Sequence, residues 1–292
     1  MTQYSLGRFN ILPPIVKNLI IINCLMAMLQ FVLIKFDINL ADYLGLHYWK
    51  SDLFRPWQLL THMFMHGSPY DVNATLLHLF SNMFALWMFG SVLENTWGEK
   101  KFLTFYLICG IGAALCHLGV LHYGYSVIED AFIRYQQNPT LDQFQLFLSQ
   151  HIPKALPNPE RINNIIIGWN NDPGSIRMSN ESIRWVHDYL YGFTQDNTHV
   201  DGIFDEATVG ASGAVFGILF AFGYLFPNVL LYIYFLFPIK AKWFVALYAL
   251  FELFAGVKNT AGDNVAHFAH LGGMLMAFII LKIWSRKRNA SY

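Results

Sequence analysis

Charge is what this 292-residue chain has little of. Asp, Glu, Lys and Arg make up 13% of it, about half the roughly 25% usual in soluble globular domains. A chain so short of charge cannot cover itself with an ordinary water-facing surface, which excludes a soluble domain. Cysteine is scarce too: Cys24, Cys109 and Cys116 all fall in apolar segments, where a free thiol behaves as a small buried hydrophobe, so no disulfide framework is expected. Before Val16 there is no apolar run followed by a small-residue cleavage site. No removable signal peptide is therefore expected, and the first apolar segment is expected to stay in the mature protein. Internal repeats, low-complexity tracts, a His-Glu-x-x-His motif and cysteine pairs at ligand spacing are all missing. The formal net charge is zero, so overall charge says nothing about nucleic acid or acidic partners; no nucleic-acid partner and no cofactor are expected.

Apolar residues fill the place of charge: 55% of the chain is hydrophobic and 17% aromatic. Stretches approaching the ~20 residues that span a bilayer run over 15–36, 74–93, 102–121, 207–225, 242–256 and 265–284. The fifth is the weakest, being short and containing Glu252. The expected fold class is thus an all-α integral membrane bundle of six transmembrane helices in contact with lipid. The apolar run 229–238 is too short to span and ends at Pro238, so it reads as an interfacial connection.

Basic residues in short loops set orientation. With the N-terminus inside, the inner segments hold Arg8, Lys17, Lys100, Lys101, Lys240, Lys242, Lys282, Arg286, Lys287 and Arg288 against Glu94 and Glu99. The opposite side receives residues 122–206, with eleven acidic and five basic residues, a net of −6. Both counts favour cytoplasmic N- and C-termini. The chain therefore divides into spans 1–3 with the first outer loop (1–121), an extracytoplasmic insertion (122–206), and spans 4–6 with a short tail (207–292), the six spans forming one domain. Within the insertion, Asn138-Pro139, Pro157-Asn158-Pro159 and Asn171-Asp172-Pro173-Gly174 mark turns, with amphipathic pieces at 141–148 and 183–191. A small helical unit and a mostly mobile loop are both compatible with that pattern.

Polar groups at membrane depth are expensive and are by default functional candidates. Ser212 lies at the start of the fourth span, and His78, His117, His267 and His270 lie in spans. A serine needs an adjacent base to act as a nucleophile, and histidine titrates near neutral pH. Small residues recur at Gly213, Gly217 and Ala221 and again at Ala269, Gly273 and Ala277, stripes along which two helices can cross closely. That crossing would bring Ser212 to His270, although such spacing is also common where helices merely pack. His267, one turn earlier, satisfies the same spacing. His78 and Asn82 share a face at i, i+4. With the Ser212 N–H at a helix start, they offer donors for a developing oxyanion, or simply a polar pair bonded to a neighbouring helix. No acid stands convincingly beside the histidines; Asp263 reads as a helix-start acid. His62 and His66 are also spaced i, i+4, but their Met and aromatic neighbours suggest packing, and no metal is expected.

Together these residues resemble the rhomboid family of intramembrane serine proteases. The resemblance rests on His78-Leu79-Phe80-Ser81-Asn82, on Gly210-Ala211-Ser212-Gly213 and on Ala269-His270-Leu271-Gly272-Gly273. It extends to Phe54-Arg55-Pro56-Trp57 with residues 61–66, and to Glu94-x-x-Trp97-Gly98. It implies a six-helix rhomboid-like bundle with a water-filled cavity and a Ser-His dyad without an acid. Ser212 would attack the scissile carbonyl, His270 would serve as base and then acid, and His78, Asn82 and the Ser212 N–H would hold the oxyanion. The register to Gly273 selects His270 over His267. The implied substrates are transmembrane segments of other proteins. The fifth span and residues 257–264, with Gly256 and Gly262, would form a gate and cap. Two positions depart from the family pattern: Phe216 stands where several relatives have Tyr, and the insertion replaces a short loop. The lack of a seventh span resembles the bacterial inner-membrane form. A catalytically silent escort protein is the alternative, though such relatives typically lack the Ser or the His.

Overall fold

A computed structural model describes residues 9–152, 159–195, 198–233, 237–258 and 266–289. The chain is mostly helical. In order come α1 (Pro14–Leu33), α2 (Leu40–Leu44), α3 (Gln58–Thr61), α4 (Val72–Ala85), α5 (Ser91–Trp97) and α6 (Glu99–Gln137). Then follow α7 (Leu141–His151), α8 (Pro159–Asn171), α9 (Ile176–Tyr191), β1 (Phe193–Gln195) and β2 (Thr198–Val200). The remainder comprises α10 (Ser212–Leu225), β3 (Leu230–Ile233), β4 (Phe237–Lys240), α11 (Ala241–Lys258) and α12 (His267–Asn289). Among the described residues four helical stretches are long and apolar enough to cross a membrane, Pro14–Phe36, Val72–Trp97, Glu99–Gln137 and His267–Arg286, and Ser212–Leu225 is a shorter apolar helix.

The helix ends follow from their residues. Proline at the first position of α1 costs no hydrogen bond and pre-sets φ. The Glu94 carboxylate accepts from the free N–H groups of Ile15 and Val16 at 2.9 and 2.8 Å, as a negative group at a positive helix end should. Asp71 caps α4 through Ala74 N at 3.0 Å. A π-turn at Leu86–Gly90 joins α4 to α5.

Two span boundaries lie well away from the sequence reading. The third span was expected to end at 121, yet α6 runs to Gln137, because the first strong helix breaker is Asn138-Pro139. The fourth was expected from 207, yet α10 starts at Ser212. Gly210 has φ +135°, which no helix contains, and Thr208 bridges instead to Leu46. The connection 229–238 is an antiparallel hairpin, β3 with β4, Leu230 opposite Lys240. A second hairpin pairs Phe193 with Val200, so the fold is not wholly α.

Contacts divide the chain into two compact units: residues 1–46, 55–118 and 207–292, and residues 47–54 with 119–206. The first has a core of Val16, Leu93, Phe102, Phe105, Cys109 and Ile218. α10 lies against α6 and α12 at very short range. A Cβ at Gly273 would overlap the Gly213 carbonyl, and one at Gly213 would stand 2.5 Å from Ala113 Cβ. Only glycine lets these backbones meet. The second unit has its own core of Phe132, Phe144, Ile165, Trp169, Trp185 and Phe204.

Candidate active site

Four buried or half-buried polar side chains of the first unit, Asn82, Ser212, Glu252 and His270, lie on α4, α10, α11 and α12, of which α10 packs against the other three. Ser212 is the first residue of α10, so its N–H is among those with no partner within the helix and sits at the positive dipole end. Its hydroxyl lies 2.8 Å from His270 Nε2 on α12. Phe216, one turn along α10, stacks flat on that imidazole with ring centroids 4.1 Å apart and an interplanar angle of 4°. The aromatic face is kept without the hydroxyl that several relatives carry.

Gly210 sets the approach to the serine. Its φ is open to glycine alone, and a Cβ there would meet His78 Nε2 at 3.0 Å and Ser212 Oγ at 3.5 Å, so imidazole and hydroxyl flank one point. The Gly210 N–H donates to the His62 carbonyl at 2.9 Å, and His62 Nδ1 donates to the Gln58 carbonyl at 2.8 Å. The turn Gln58–Phe64 thereby holds the chain entering the nucleophile. Burial pushes the His62 imidazole down to about 4, against the opposing pull of the Gln58 carbonyl, and His66 down to about 3. Both are neutral packing groups at neutral pH. The His66 ring meets His78 edge-on at 5.2 Å.

Asn82, one turn from His78 on α4, is 5% exposed, and its Nδ2 is buried without a hydrogen-bond partner. A buried amide donor left open is costly and is what a site awaiting an anion requires. His117, another candidate base, is paired with Thr208 Oγ1 at 2.8 Å through Nε2.

One expectation is overturned. The sequence reading found no acid beside the histidines, but Glu252 of α11 is there, 3% exposed. Its Oε2 lies 2.9 Å from His270 Nδ1 and 2.7 Å from His267 Nδ1. In the sequence Glu252 reads only as a flaw in an apolar span. The missed signal was the lone acid itself, since an ionisable group at membrane depth is a functional candidate by default. Asp263, the acid considered instead, lies outside the described residues, as does most of the expected cap. Donor atoms of Glu252, His267 and His270 all fall within 4.8 Å of one another, the one cluster among the described residues with metal-ligand spacing. The two imidazole N–H groups shared by one carboxylate oxygen close that cluster as hydrogen bonds. His62 and His66 do not form one.

Chemically, the arrangement is a hydroxyl with a base at hydrogen-bond distance, an imidazole beside the hydroxyl, and a carboxyl group behind the base. The sequence model of the family described as Rhomboid domain matches residues 53–129 and 185–287. The chain is also 26% identical, over 239 residues, to an uncharacterized mitochondrial rhomboid protein of Schizosaccharomyces pombe. That match covers 80% of this chain and 53% of the relative, so the chain spans about half the relative's length. The relative is mitochondrial by name, and the bacterial form expected from the sequence finds no support in it.

Proposed function

The chain belongs to the rhomboid family, and from that premise we propose that it is an intramembrane serine endopeptidase cutting peptide bonds in or near transmembrane segments of membrane proteins. The observation that carries the reading is the 2.8 Å contact between Ser212 Oγ and His270 Nε2, made between two apolar helices. Nε2 takes the hydroxyl proton as Oγ attacks the scissile carbonyl, and the resulting imidazolium protonates the leaving amine. The Ser212 N–H, the Asn82 amide and His78 Nε2 hold the oxyanion, each such donor being worth roughly 3 kcal/mol in the transition state. Water then enters by the reverse path to release the acyl group. A substrate helix blocks its own peptide bonds by hydrogen bonding and must unwind first, so helix-breaking residues near the cut favour cleavage.

The same reading takes α10 and α11 as the remaining two of six spans, with both termini on the cytoplasmic, basic side. Residues 122–206 are then an extracytoplasmic insertion; the family match leaves out residues 130–184, which supports an insertion over that shorter stretch. The fifth span, α11, is the gate.

The test is cleavage of a single-span reporter by purified protein in liposomes. Wild type and His267→Ala cleave, while Ser212→Ala and His270→Ala do not. A wild type that binds the reporter as tightly as Ser212→Ala does, yet cleaves nothing, would instead make the chain an escort protein.

A further inference from the structure

Glu252 has no part in a Ser-His dyad, yet its position is specific. It comes from α11, while the two histidines that share its Oε2 are one turn apart on α12. The carboxylate, the imidazole and the hydroxyl form one line: Oε2 to Nδ1 at 2.9 Å, then Nε2 to Oγ at 2.8 Å. A neutral imidazole whose Nδ1–H donates to a carboxylate presents an unprotonated Nε2 to the serine, the tautomer that general-base attack needs.

We propose that Glu252 is a positioning residue that fixes the tautomer and orientation of His270 and stabilises its imidazolium, with His267 holding the same carboxylate oxygen. The inference rests on the protease reading and deepens it: the dyad becomes a Ser212–His270–Glu252 triad whose acid is carried by a different helix from both dyad members. Withdrawing α11 would withdraw the acid, so the site is complete only when α11 is docked on α12. Other titratable groups around His270 are His267 on its own helix, His78 on α4, His117 on α6 and Tyr248 on α11. None of these is an anion at neutral pH, so the negative charge facing His270 from these helices is that of Glu252.

No atoms are exchanged with Glu252 in the reaction. The proton moves from Oγ to Nε2 and on to the leaving amine, while the Nδ1–H stays on the imidazole and the carboxylate stays ionised. In enzymes with this line of groups, replacing the acid by its amide lowers kcat by about 10⁴, through the wrong tautomer.

The experiment uses the full chain in liposomes with the single-span reporter, comparing wild type, Glu252→Gln, Glu252→Asp, His267→Gln and Ser212→Ala across pH 5 to 9. Glu252→Gln is expected to lower kcat at least about 100-fold with KM changed less than about threefold. The acid limb of its residual kcat profile should lie at lower pH than in wild type, because the anion that stabilised the imidazolium is gone. Glu252→Asp, which keeps the charge on a shorter stem, should recover about tenfold over Glu252→Gln, and His267→Gln should cost less than Glu252→Gln. Thermal unfolding in the same liposomes shows whether each variant is folded; if the amide variant is not, Glu252→Asp and its pH limb decide. The inference is overturned if Glu252→Gln retains kcat within threefold of wild type. It is equally overturned if the amide and Asp variants lose activity alike with the acid limb unmoved, which would mark Glu252 as packing only. Cleavage by Ser212→Ala would instead remove the protease reading on which the inference stands.

Discussion

On α1, Ile21, Ile22, Leu25, Met28, Leu29 and Val32 face outward while Asn23 and Gln30 are buried; on α9, Trp185, Val186 and Leu190 are inside while Arg177, Asn180, Arg184 and His187 face outward. Both units bury an apolar core, but these two helices expose opposite faces. The unit of residues 119–206 with 47–54 follows the rule for water, a closed apolar core under a polar surface. In the other unit an apolar exterior suits lipid, so burial of apolar surface no longer drives its helices together. Close backbone contact and buried polar pairs take over. The difference explains where chemistry can reside. Interior polar groups are errors in the first kind of core unless fully paired, whereas the second kind is built around them and holds Ser212, His270, Asn82 and Glu252.

Opposite substitutions should therefore damage the two cores. Phe144 is fully buried among Tyr135, Trp169 and Trp185, and Phe144→Ala is expected to destabilise its unit by about 3–5 kcal/mol. Hydrogen exchange over α7, α8 and α9 reads this directly; unchanged protection there would break the comparison. In the membrane unit the damaging change is an added atom. Gly273→Ala drives a methyl group into the Gly213 carbonyl, and a cost near the upper end of the roughly 1–3 kcal/mol for overpacking is expected, read as a lower thermal midpoint in liposomes and lost cleavage. If Gly273→Ala were neutral, α10 and α12 would not be in backbone contact.

The polar interior also makes acid a specific threat. His62 stays neutral down to about 4 in the folded state, whereas in the unfolded chain it protonates below about 6.5. The unfolded state then binds more protons, so stability falls as pH drops from 6.5 towards 4, by up to about 3 kcal/mol from this group. His62→Asn, which keeps a donor for the Gln58 carbonyl, should flatten that slope in denaturation measured across pH; an unchanged slope would assign the acid sensitivity elsewhere. The smallest effect belongs to the lipid face: Leu25→Ala, at a side chain 57% exposed, should change stability by less than about 0.5 kcal/mol.

Part of this was legible in the sequence, and the exceptions have separate causes. Local spacing offered Ser212, the pair His78 and Asn82, and both His267 and His270; only the resemblance to the rhomboid family chose His270 as the base, and the small-residue stripes suggested which helices cross. Glu252 is 15 and 18 residues from its partners, on a different helix, and no local pattern ties it to them. The late start of α10 was hidden because Ala207 to Ala211 is apolar enough to read as helix, and only Gly210 hinted otherwise. The extension of α6 past residue 121 needed the tolerance of a helix for Gly124 to be weighed against the breaker at Pro139.

The central claim is that Ser212 is a nucleophile activated by His270. The most direct measurement is mass-spectrometric mapping of a fluorophosphonate adduct on the full chain in liposomes, for wild type and His270→Ala. The account predicts a covalent adduct on Ser212 in the wild type, formed at least 100-fold more slowly without the imidazole, as expected when a general base is removed. An adduct on another residue, or Ser212 labelling that does not depend on His270, would contradict it.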